Sequence, residues 1–106
     1  MRSTLVADDR RQLVGPVARG FDADVVEALV TAIENDNPGT TILVEDHGGY
    51  VRIHAPRRLR LTRASLEEAA GRPFPLAGLE PAIASFAGRM RYVGDDELVW
   101  YLSRED

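Results

Sequence analysis

Residues 40–62, TTILVEDHGGYVRIHAPRRLRLT, constrain the fold more than any other stretch, because apolar and polar positions alternate there with the period of two that a strand imposes. Ile42 and Val44 alternate with Leu43 and Glu45, Val51 and Ile53 with Tyr50, Arg52 and His54, and Leu59 and Leu61 with Arg58 and Arg60. Gly48 and Gly49 interrupt the first two runs where a tight turn needs positive φ. Pro56 interrupts the next two, since it has no N–H to give to a ladder. The pattern predicts an antiparallel meander with one apolar face, which the segments on either side must cover.

Those segments read as follows. Residues 1–12 are polar, charged and without periodicity, and are expected to form a flexible tail before a single domain over 13–106. Leu13, Val14, Val17 and Ala18 around Gly15 and Pro16 predict a short bent strand at the edge of the meander. Asp22 or Asp24 offers an N-cap, and Glu27 follows Asp24 at capping-box spacing. Val25, Val26, Leu29, Val30 and Ile33 then form a helical stripe that ends near Asn35, because Asn37, Pro38 and Gly39 do not continue a helix. Thr62 or Ser65 can cap a second, short helix through Leu66, Glu67, Glu68, Ala69 and Ala70, stopped at Gly71. Pro73, Pro75 and Pro81 limit any helix between residues 76 and 83 to one or two turns. Residues 86–93 read as strand, 94–96 as a turn, and Leu98, Trp100 and Leu102 as the inward positions of a last strand. Phe74 and Trp100 are expected in the core. The fold class is α+β: one domain of mainly antiparallel strands, covered by one longer and one or two short helices.

Composition removes several function classes. A chain of 106 residues supports one core, and no apolar run approaches bilayer length. The N-terminus lacks the apolar centre of a secretory signal, so the expectation is cytoplasmic. With no cysteine there is neither a disulfide framework nor a thiolate nucleophile. A net charge of -4 argues against nonspecific nucleic-acid binding. All 13 basic residues are arginine, and the run Arg57, Arg58, Arg60 and Arg63 reads as the polar face of an edge strand. His47 and His54 lack co-ligands at metal-site spacing and read as solvated. Neither Ser65 nor Ser85 stands in a nucleophile elbow, and no glycine pattern cradles phosphate. Glu45 and Asp46 are neighbours that point to opposite faces of a strand and share no proton, and the pairs Glu67 and Glu68, and Asp95 and Asp96, read with them as solvated charges. No catalytic, cofactor-binding or metal-binding residue emerges, which points to a protein that binds another protein.

Several segments carry a family resemblance. Asn37, Pro38 and Gly39, then Val44, Glu45 and Asp46, then Tyr50, Val51, Arg52 and Ile53 match in order the first half of the small effector proteins of bacterial multicomponent diiron monooxygenases. Leu66, Glu67 and Glu68, then Gly71, Arg72, Pro73 and Phe74, then Ala84, Ser85, Phe86, Ala87 and Gly88 match the second half. The chain resembles this coupling component of the toluene, phenol, alkene and methane enzymes across residues 14–102, and is most similar to the toluene and alkene branch. The resemblance implies a cofactor-free, non-catalytic protein, monomeric on its own. Such a protein docks on a diiron hydroxylase and tunes oxygen activation and substrate entry, with electrons supplied by a reductase and often a Rieske ferredoxin. No nucleic acid or membrane enters that picture. The hydroxylase-binding candidates are Asn37, Pro38 and Gly39, together with Ala84, Ser85, Phe86, Ala87, Gly88 and Arg89. Strand alternation sends Ala84, Phe86 and Gly88 to one face, and Ser85, Ala87 and Arg89 to the other, with one face on the core and the second free to dock. The alternative is a stand-alone ligand- or nucleic-acid-binding α+β domain.

Overall fold

The computed structural model describes residues 12–20 and 22–102, so the expected tail lies outside the described residues except for Gln12. The chain runs β1 (Leu13–Arg19), α1 (Ala23–Asp36), β2 (Leu43–Asp46), β3 (Tyr50–Pro56), β4 (Arg58–Thr62) and α2 (Arg63–Ala70). A 3₁₀ segment (Leu76–Ala82) then leads into β5 (Ile83–Ala87), β6 (Arg89–Val93) and β7 (Glu97–Tyr101). The strands form two antiparallel sheets, one ordered β2-β3-β1-β5 and the other β4-β7-β6.

This arrangement corrects the single meander in three places. β2 and β3 pair as expected, but β4 leaves β3 and pairs with β7. The joint is Arg57 at φ 71, whose N–H donates to the Gln12 carbonyl at 2.7 Å and whose Nε donates to Gln12 Oε1 at 3.1 Å. β1 is an interior strand between β3 and β5, not an edge. Its proline is accommodated because the partners on β3 skip Gly15 and Pro16, while the register to β5 slips between Val17 and Ala18. Gly15 also permits a close approach, since a Cβ there would lie 2.1 Å from the Ile53 carbonyl oxygen. Finally, residues 86–93 are not one strand. Gly88 at φ 80 breaks them, and the two halves join different sheets.

The helices follow the sequence closely. Asp22 takes the α1 cap, its Oδ1 accepting from Val25 N at 3.2 Å, so the Asp24–Glu27 box is not used. Thr62 caps α2 by accepting from Ser65 N at 3.2 Å, and Gly71 ends it in the left-handed region. α1 packs on α2 and β4, burying Ala28, Leu29, Ala32 and Ile33 in a core with Val14, Ile53, Leu59, Leu61, Leu66, Phe74, Leu79, Leu98 and Trp100. Each fully buried Leu or Ile side chain contributes roughly 1.5–3 kcal/mol.

Candidate docking surface

Asn37 terminates α1, and its side chain is committed inside the fold. Nδ2 donates to the carbonyls of Ile33 at 2.7 Å and Arg60 at 2.8 Å, while Oδ1 accepts from Arg60 N at 3.1 Å. Asp36 completes the arrangement: Oδ2 accepts from Thr62 N at 2.6 Å, and Oδ1 accepts from Ser65 Oγ at 2.6 Å. These two side chains give the outer rim of β4 the partners that a further strand would supply. Sequence reasoning missed Asp36 altogether. An acidic residue at the C-terminal end of a helix, unfavourable toward the macrodipole, was the available signal. Pro38 and Gly39 stay exposed beside this joint.

On β5, Ala84, Ser85 and Phe86 are exposed and Ala87 is half-buried. The expected division into a core face and a free face is therefore corrected: Phe86 is 43% exposed. β5 is an edge strand, and the apolar cover near it comes instead from Ile83 and Met90. A shallow groove of about 180 Å³ runs beside the strand, lined by Leu79, Ile83, Phe86, Met90 and Tyr92 among others. The Tyr92 hydroxyl reaches Glu80 at 3.4 Å, and burial followed by that carboxylate pushes its pKa up. Gly88 and Arg89 are exposed. The two candidate segments do not form one cluster. Asn37 borders β4, Arg89 opens β6, and β7 lies between them.

Among the described residues the titratable groups form no reaction centre. His54 is buried at 7% exposure rather than solvated, because its position in β3 lies beneath β1 with Cδ2 against Gly15. Burial first and the Arg52 charge second hold its pKa below the usual imidazole value, partly opposed by Glu45 and the Gly15 backbone. Its Nε2 has no protein hydrogen-bond partner. His47 is exposed, as expected, and stacks on Tyr50 at 4.8 Å. Glu67 accepts from Arg63 Nε at 2.8 Å and from Phe74 N at 2.9 Å, which together hold its carboxyl below the normal range. Among the described residues no three His, Asp or Glu side chains converge to hold a metal, and no helix is long and apolar enough to cross a membrane.

The described residues thus form a small antiparallel α+β domain that presents exposed strand faces, with its polar side chains spent on caps and joints. The comparisons give that class its family. The pattern of the MmoB/DmpM family matches residues 12–101, and the chain belongs to that family of monooxygenase effector and regulatory proteins, which are not the catalytic subunits. It is 46% identical over 101 residues to the effector subunit of the alkene monooxygenase system of Xanthobacter autotrophicus (strain ATCC BAA-1158 / Py2), covering 95% of this chain and 97% of that one. A chain of the phenol hydroxylase–regulatory protein complex superposes with a TM-score of 0.72 at 27% identity, covering 87% of this chain and all (100%) of the other. The regulatory protein B of soluble methane monooxygenase matches with a TM-score of 0.61 at 23% identity, over 85% of this chain and 64% of that chain, and shares the fold.

Proposed function

We propose that this protein is the effector of a multicomponent monooxygenase acting on alkenes or aromatic hydrocarbons, and that it docks reversibly on the diiron hydroxylase of that system. The observation that carries the reading is the 46% identity to an alkene monooxygenase effector along 95% of the chain. It is supported by the likeness to a chain of the phenol hydroxylase–regulatory protein complex. The chain brings no cofactor of its own. A protein of this kind acts by binding one hydroxylase state more tightly than another, since a ligand shifts an equilibrium only through differential affinity. The product of that shift is better timed oxygen activation, controlled substrate access and tighter coupling to the electrons delivered by a reductase, in many such systems through a Rieske ferredoxin. On its own the protein is a cytoplasmic monomer.

Docking uses residues 84–89, where Ser85 is exposed and small enough for close approach. Ser85→Arg is expected to leave stability within about 0.5 kcal/mol of wild type. At a hot-spot position it weakens hydroxylase binding by about 2 kcal/mol or more. The measurement is steady-state hydroxylation rate during titration of the variant, with circular dichroism as the folding control. A folded variant that saturates the hydroxylase at the wild-type concentration removes this segment from the interface and moves it to Pro38 and Gly39.

A further inference from the structure

His54 stands beside a gap in its own sheet. β1 and β3 pair at Leu13 with Pro56 and Val14 with Ala55, and again from Val17 with Arg52 onward, so Ile53 and His54 have no ladder partner on β1. On its other side His54 pairs with Leu43 of β2. Facing the gap is Gly15 at φ 139, so close that a Cβ there would lie 3.0 Å from His54 Cδ2 and 3.0 Å from Leu59 Cδ2. Gly15 in turn pairs with Ala87 of β5, in a ladder whose register slips between Val17 and Ala18. The His54 ring therefore supports β1 where its ladder to β3 is interrupted, at the residue from which β1 carries β5.

The ring is enclosed in a way that disfavours charge. It is 7% exposed, and its Nε2 is buried without a hydrogen-bond partner. An imidazolium has an N–H on both ring nitrogens, so in this position it would bury a donor that nothing accepts. Among the described residues the charged groups facing it are Arg52 on its own strand and Glu45 on β2, whereas β1, β4 and β5 bring Leu13, Gly15, Leu59 and Ala87, none of which titrates. Arg52 opposes a second positive charge, and Glu45 is already shared between Arg52 at 3.7 Å and His47 at 3.8 Å. Burial and then Arg52 accordingly hold the enclosed ring below the ordinary imidazole value. A recess of about 330 Å³ adjoins the ring, lined by Leu13, Leu43, Glu45, Arg52 and Ala87. It offers a protonated ring room on the side of the Glu45 carboxylate.

We propose that His54 is a proton-operated latch between β3 and β1: on taking up a proton its ring leaves Gly15 for the recess, and the joint of Gly15 with Ala87 that carries residues 84–88 loosens. The consequence for binding rests on the effector reading above, since those residues belong to the docking segment. A ring that is neutral when enclosed and protonated when released favours the released form by up to about tenfold per pH unit below the ordinary value of 6.5.

The test is native-state hydrogen exchange followed by NMR from roughly pH 7.5 to 5.5, with the intrinsic pH dependence of exchange divided out. The amides of β1 and β5 that are protected at the upper pH are expected to lose roughly tenfold in protection, while those of β4 and β7, in the other sheet, keep theirs. His54→Phe or His54→Gln, whichever circular dichroism shows to be folded, is expected to abolish the loss. Constant protection of β1 and β5 in the wild type overturns the latch. So does an equal loss in both sheets, which would make His54 a contributor to global stability alone, and so does the same loss in the folded variant. Hydroxylase binding at the two ends of this window is expected to weaken on the acidic side by up to about tenfold more for wild type than for the variant. Equal weakening of the two overturns the link to docking. Wild type that does not bind the hydroxylase at the upper pH overturns the effector reading, and the exchange measurement on the isolated chain still decides the latch.

Discussion

Asn37 shows how one side chain reads differently in sequence and in structure. Beside Pro38 and Gly39 it resembles an exposed turn residue available to a partner, yet its amide makes three hydrogen bonds, two of them to Arg60 in β4, 23 residues away. Asn37→Ala leaves partly buried backbone groups of Ile33 and Arg60 unpaired, and is expected to lower stability by about 1–3 kcal/mol in urea titration. An unchanged midpoint would return Asn37 to a purely surface role. His54 is the second residue that local pattern misplaces, because alternation along β3 assigned it to the polar face and the proximity of Gly15 in β1 was not readable from spacing. Its pKa is held below 6.5 by burial and then Arg52, so the unfolded chain takes up the proton first as pH falls. Its contribution is complete above about pH 6.5 and is lost as pH drops through the depressed folded value. The urea midpoint of the wild type should therefore fall between roughly pH 7.5 and 5.5, and His54→Phe should flatten that window. The Glu67 carboxyl, depressed from 4.5, produces its own loss only below that range. Equal slopes for wild type and His54→Phe would contradict the buried assignment.

Elements were legible where their signals are local. Caps, breakers and the apolar stripe placed α1 to within a residue at its C-terminus, and Thr62 with Gly71 framed α2, because a cap and its partner sit within one turn of each other. Strand pairing was not legible to the same degree. A period of two reports which residues share a face and does not report which strand lies alongside, so β3 and β4 were assigned to one sheet and residues 86–93 to one strand. The joint at Gly88 carries the second of these separations. A Cβ there would come within 2.6 Å of both the Tyr101 carbonyl oxygen and Val14 Cγ1, at φ 80. Gly88→Ala combines left-handed strain with overpacking, and is expected to cost about 2 kcal/mol or more, seen as a lower thermal midpoint. A midpoint equal to wild type would mean that β5 and β6 can be joined without this geometry.

At the scale of the whole molecule, class and family were within reach of the sequence, whereas the grouping of arginines on one sheet face was only half visible. Arg58 and Arg60 stood out as the polar side of an edge strand. Arg89 and Arg91 lie some thirty residues further on, and only their common pairing with β7 brings all four onto one surface. The candidate segment at residues 84–89 was identified by likeness, and its exposure on both faces follows from the edge position of β5. The Asp36 and Asn37 side chains that close the rim of β4 have a further consequence. A five-residue strand with open N–H and C=O groups is a template for copies of itself. By filling those positions from its own helix, the chain can remain at high concentration in a crowded cell without polymerising through that strand. The same two residues that end α1 thereby also guard the open edge of β4.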